Sequence, residues 1–150
     1  MGGAMSRTKG QVGEREVAGI IYDLLGIEVH RNWAEQSAHG GADLDGLDGF
    51  AIEVKRYKAV TPALINGWWK QAVAQAKRSD EVPVLWYRGD RQPWRVVLDG
   101  GWISSIALSG SKEIESWLFD YEYTMTISPE MFATMIREDM AWEQNQSSQH

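Results

Sequence analysis

The sequence predicts an α/β domain with a central mixed β-sheet flanked by helices, and three observations carry that prediction. The apolar residues Val17, Ile20, Ile21, Leu24 and Leu25 recur at the spacing that lines one face of an amphipathic helix. Two alternating segments, 42–47 and Phe50–Tyr57, meet at Asp48-Gly49, a pair suited to a hairpin turn. A run rich in Ala, Gln and Lys follows from Pro62 to about Arg78, reads as a second helix with proline in its first turn, and precedes another strand-like segment.

The other elements follow in order. Residues 1–8 are small and polar and read as a flexible lead-in. Gly26 suits the end of the first helix. Residues 27–32 form a candidate strand, and 33–41 a polar loop. Val82–Arg88 and Trp94–Leu98 read as strands around Gly89-Asp90-Arg91. Beyond Gly100 the pattern weakens to a strand near Tyr121–Ile127 and a helix opened by Ser128-Pro129, with Ser128 as cap and Glu130 in the first turn. Residues 143–150 read as a disordered tail. The expected organisation is one domain over 9–142, with a core at about 9–98 and a C-terminal strand and helix extension at 99–142.

Composition narrows the function classes. With 150 residues, 43% hydrophobic and 24% charged, the chain matches one globular domain. It has no apolar run near the ~20 residues of a membrane span, and its first ten residues lack the apolar core of a secretory signal. The absence of cysteine excludes a disulfide scaffold, a Cys-based zinc finger and a cysteine nucleophile. A soluble, cytoplasmic domain is expected. The net charge of −6 hides an asymmetry: residues 55–99 hold nine basic against four acidic side chains, and residues 101–150 hold two against eight. Phosphates respond to nearby charge, so the acidic total does not veto a nucleic-acid partner. Arg7, Lys9, Arg56, Lys58 and Arg88 are candidate phosphate contacts, with Arg91 and Arg95 in the next hairpin. The eight tryptophans point first to core and edge packing.

The chemistry centres on Phe50–Tyr57. Strand alternation gives Phe50, Ile52 and Val54 one apolar face and places Glu53 and Lys55 together on the other, about 7 Å apart along the strand. Asp43 lies on the preceding strand, and antiparallel neighbours are about 5 Å apart. The two carboxylates can therefore converge on one hard cation such as Mg²⁺, with Mn²⁺ as a substitute. Lys55 beside them could orient or deprotonate a water, or stabilise transition-state charge. Asp45 and Asp48 are rivals for the Asp43 role, although turn conformation alone explains Asp48. On the first helix, Glu14 falls about 50° from the centre of the apolar stripe and Glu16 about 110°, so Glu14 faces the domain and Glu16 solvent. His30 and His39 lack zinc-ligand spacing.

Lys9-Gly10-x-x-x-Glu14-Arg15-Glu16, then Gly41-Ala42-Asp43, then Ile52-Glu53-Val54-Lys55 resembles the PD-(D/E)XK nuclease superfamily. The similarity is to its Holliday-junction-resolvase-like branch and to related small phage endonucleases, and it covers about residues 7–98. Ala42 stands where the motif has proline. The resemblance implies a restriction-endonuclease-like core and a Mg²⁺-dependent endonuclease in a bacterial host or encoded by a phage. Glu14, Asp43 and Glu53 would be metal-binding acids, the Val54 carbonyl a further ligand, and Lys55 the catalytic lysine. Gln71, or else Gln75, would be the polar helix residue beside the site.

The expected reaction is phosphodiester hydrolysis in branched DNA such as a four-way junction. The alternatives are a phage or restriction-type nuclease of ordinary duplex, and a non-catalytic module that binds DNA or protein. Symmetrical junction cleavage would need a homodimer. Trp102, Trp117, Phe119, Tyr121 and Tyr123 could build its interface or extend the core.

Overall fold

A computed structural model of the chain describes residues 2–32, 41–108 and 119–149. Helix α1 spans Gly2–Leu25, and the short strands β1 (His30–Arg31) and β2 (Leu44–Asp45) precede the long strand β3 (Phe50–Tyr57). Helix α2 (Pro62–Ser79) leads to β4 (Val82–Gly89) and β5 (Arg95–Asp99). Helix α3 (Gly100–Leu108), a 3₁₀ turn at Tyr121–Tyr123, β6 (Thr124–Ile127) and α4 (Pro129–Ser147) complete the chain.

The six strands form one sheet in the order β1-β2-β3-β4-β5-β6. Only β3 and β4 run parallel, because α2 carries the chain back between them, while the other neighbours are antiparallel. This is the mixed sheet flanked by helices that the sequence predicts, and it matches a restriction-endonuclease-like architecture. The β3 alternation sorts the core. Phe50, Ile52 and Val54 pack with Val17 and Ile21 of α1 and Phe132 and Ile136 of α4, whereas Ala51 on the opposite face packs against Ala76 of α2. Trp68, Trp69, Ala72 and Val73 of α2 cover Leu85 and Val97 on that second face.

Local signals explain the element ends. Thr61 caps α2 by accepting the Leu64 amide at 3.3 Å, and Asp80 closes it in the left-handed conformation. Ser128 accepts the Met131 amide at 3.1 Å and caps α4 as expected.

Other boundaries differ from the sequence expectation. Helix α1 begins at Gly2, within the segment expected as a lead-in, and α4 continues to Ser147, into the segment expected as a disordered tail. Strand β2 is limited to Leu44–Asp45, shorter than the predicted 42–47. The chain turns away at Gly46 (φ 124°), where a Cβ would lie 2.4 Å from the Glu28 carbonyl oxygen. The loop expected at 33–41 lies outside the described residues up to Gly40.

The C-terminal aromatics belong partly to the core. Trp102 is fully buried and meets Phe50 edge-on at 5.4 Å, so it is unavailable to an interface. Phe119 packs against the core, and its carbonyl accepts the Trp69 indole N–H at 2.9 Å. Tyr121 packs against the α2 side, whereas Tyr123 is exposed; Trp117 lies outside the described residues. Among the described residues no helix is long and apolar enough to cross a membrane.

Helix α4 therefore completes the first core face, with Ile136 fully buried and Phe132 edge-on to Trp86 at 5.5 Å. Ile136→Ala should cost about 2–5 kcal/mol in a single cooperative denaturant transition. An unchanged midpoint would mean that α4 is not part of the cooperative fold.

Candidate active site

The site forms where β2 leaves β3. The Asp43 amide still pairs with the Ile52 carbonyl at 2.9 Å, but the next ladder position is taken by a side chain: Asp43 Oδ2 accepts the Val54 amide at 2.8 Å. That bond fixes the carboxylate beside Glu53, which is buried at 4% exposure. Burial raises the Glu53 pKa from 4.5 to about 9, reinforced by the charge of Asp43 and a hydrogen bond with it, then by Glu14, and opposed by Lys55. Glu53 therefore keeps its proton, because two adjacent carboxyl groups cannot both ionise cheaply in a dry site.

Glu14 reaches the same region from α1. It is buried, and its pKa is raised by burial first and then by Asp43, against the opposing Arg31 guanidinium. Arg31 on β1 forms an ion pair with it. Lys55 is half-buried two positions beyond Glu53 on the same face. The fold thus brings Asp43, Glu53 and Lys55 together at the β2–β3 margin, with Glu14 approaching from α1. The rivals stand aside: Asp45 is exposed opposite His30, and Asp48 is exposed in the turn.

The donor set fits a hard divalent cation. Asp43 and Glu53 supply oxygen ligands already in contact, and the Val54 carbonyl leaves the strand on the same edge as its amide, toward Asp43. A cation there would replace the Glu53 proton and reverse the electrostatic penalty. Among the described residues no three acidic or histidine side chains converge as a ready cluster. Glu14 instead pairs with Arg31, which sequence reasoning missed; nothing in a two-residue strand signals that role.

Other expected contacts are placed differently. Arg56 and Arg88 do not stand free to meet phosphates. Arg88 Nη1 donates to Glu16 Oε2 at 3.0 Å, the Trp94 indole N–H donates to the same oxygen at 3.0 Å, and Arg56 Nη1 lies 3.7 Å from Glu16 Oε1. Glu16 is consequently half-buried rather than solvated, because α1 crosses the sheet with that flank over the ends of β3, β4 and β5. An angle measured from the apolar stripe could not reveal what lay beyond the helix flank. Gln71 is exposed and Gln75 half-buried on α2. Lys58 is exposed, His30 is exposed on β1, and the side chains of Arg7, Lys9 and His39 lie outside the described residues.

The raised Glu53 pKa has a consequence for the metal-free protein. The folded state holds this proton more tightly than the unfolded chain, so its stabilisation is complete below about pH 4.5 and disappears as pH rises through about 9. Thermal melts in EDTA should therefore show stability falling across that window, with a flatter profile for Glu53→Gln. Identical profiles would overturn the assignment of the retained proton to Glu53.

A family model described as "Phage putative PDDEXK endonuclease" matches residues 5–146. Protein D14 of Escherichia phage T5 is 28% identical over 116 residues, covering 63% of this chain and 71% of that protein. No solved structure gives a significant match. The family model spans α1, the carboxylate centre and the Glu-x-Lys strand together with the C-terminal extension, and by that match the chain belongs to the phage PDDEXK endonuclease family.

Proposed function

We propose that this protein is a Mg²⁺-dependent DNA endonuclease that hydrolyses phosphodiester bonds in branched DNA and leaves a 5′-phosphate. The observation that carries the reading is the electrostatic contact of Glu53 with Asp43, with Lys55 and Glu14 around them. The bound cation would supply Lewis-acid activation at the scissile phosphate. Asp43 and Glu53 are its carboxylate ligands in this reading, with the Val54 carbonyl beside them. The Val54 amide holds Asp43 in orientation, and the burial of Glu53 excludes competing water. Lys55 orients the attacking water or stabilises the charge that develops on the phosphoryl oxygens. Glu14, restrained by Arg31, supports a water or a second ion, and Gln71 or Gln75 lies on the helix flanking the strand.

The preference for branched DNA rests on the order of helix glutamate, Asp strand and Glu-x-Lys strand, which resembles the junction-resolvase branch. Two symmetrical cuts in a junction would require two copies of the chain. The cytoplasm of an infected bacterium is the setting this reading implies.

The test is purified protein with Mg²⁺ or Mn²⁺ on a four-way junction, a linear duplex and single-stranded DNA. Junction cutting should exceed duplex cutting, EDTA should abolish both, and Asp43→Asn should leave no cutting above background while Asp48→Asn retains it. Lys55→Ala should slow cutting by about 10²–10³-fold. Equal activity of the two aspartate variants overturns the site assignment. Equal junction and duplex rates favour a nuclease of ordinary duplex, and salt-sensitive binding without metal-dependent cutting favours a binding module.

A further inference from the structure

Four cations at the carboxyl end of the β3–β4 pair divide into two groups, with Arg91 exposed in the turn between β4 and β5. Arg56 and Arg88 both pair with the single carboxylate of Glu16. Lys58 and Arg95 are exposed, enter no ion pair among the described residues, and both line a cleft of about 540 Å³. That volume falls within the range of formed ligand sites. Tyr87, Gly89 and Gln92 also line it, and Asp90 is the acid on its wall. The Asp90 amide is tied to the carbonyls of Tyr57 and Lys58 at 3.0 and 3.3 Å, which holds the Lys58 backbone at the rim.

Sheet register ties this cleft to the carboxylate centre. Lys55 pairs with Tyr87, and Tyr87 pairs with Arg95, so the three side chains form one row on the α2 face. Two strand spacings put Arg95 about 10 Å from Lys55. Burial, and then Tyr121, push the Tyr87 phenol up, so its hydroxyl stays protonated and can donate a hydrogen bond. Both cations are exposed rather than buried, which suits a polyanion running across the surface better than one small anion sealed in a pocket.

We infer that this cleft is a second phosphate subsite, in which Lys58 and Arg95 hold the backbone of the substrate strand to one side of the scissile bond. The inference rests on the nuclease reading for the identity of the polyanion as DNA. Lys55 meets the cleaved phosphate in that reading, and a separation of about 10 Å corresponds to about three nucleotides of duplex rise. Neither cation reads base edges from such a site, so the contact is independent of sequence.

The test is fluorescence anisotropy of labelled duplex and junction DNA against NaCl concentration, with Mg²⁺ present in a Glu53→Gln background that keeps the DNA whole. Lys58→Ala and Arg95→Ala should each weaken binding about five- to tenfold at 0.1 M salt and lower the log–log salt slope by about one. The loss should be the same for unrelated sequences. Arg78→Ala, at the other end of α2, should leave the slope unchanged. A double Lys58→Ala/Arg95→Ala variant with the parent slope overturns the subsite, as does an absence of DNA binding by the parent. Displacement by sodium phosphate beyond that caused by NaCl of equal ionic strength would assign the cleft to a small phosphate ligand and overturn it too. Cutting is assayed separately on the chain with Glu53 intact. Cutting with unchanged slopes sinks the subsite alone, whereas slope losses without any cutting sink the nuclease reading alone.

Discussion

Asp43 and Glu53 are held where both cannot ionise at low cost, and the candidate site is organised around that conflict. Asp43 reaches the position by replacing a backbone acceptor, taking the Val54 amide just as the β2–β3 ladder ends. The same bond takes the place of a backbone rung at the margin between β2 and β3. Without a cation, burial beside Asp43 keeps a proton on Glu53. The site therefore stores an unfavourable arrangement that a divalent ion would relieve, and neighbouring residues keep it from relaxing.

The restraint comes from three ion pairs made by two glutamates of α1. Glu14 is tied to Arg31 on the β1 side, and two residues later Glu16 is tied to Arg88 and Arg56 on the side of β3 and β4. These links pin the helix across the sheet, with the apolar Val17 and Ile21 between it and β3. The Trp94 indole joins the Glu16 cluster, so the sheet ends, the helix and a core aromatic form one partly buried network. Such networks resist being pulled apart one member at a time, because each loss leaves another group unpaired. The division also leaves Lys58 and Arg95 as the cations that face solvent beside the cleft.

Much of this was legible in the amino-acid order. The bounds of β3, the helix starts at Pro62 and at Ser128-Pro129 and the inward direction of Glu14 follow from alternation, capping chemistry and helical spacing, all of which act within a few residues. The Glu-x-Lys pair on one face of β3 follows from the same alternation. Tryptophan burial was legible as a class, and Trp68, Trp69, Trp86, Trp94 and Trp102 are buried.

Tertiary structure decided which charges meet. Glu16 lies on a helix flank that spacing alone assigns to water, and only the crossing of α1 over the strand ends brings Arg56, Arg88 and Trp94 to it. Arg31 became the partner of Glu14 because a two-residue strand pairs with β2, a contact with no local signature. The place where β2 departs from β3 likewise puts the Asp43 carboxylate on the Val54 amide and leaves Asp45 exposed. Sequence by itself determined the elements and the residue types at the site, since propensity and periodicity are local. The pairing of opposite charges was left to the fold, because Coulomb and hydrogen-bond energies depend on through-space distance and burial, which no spacing along the chain encodes.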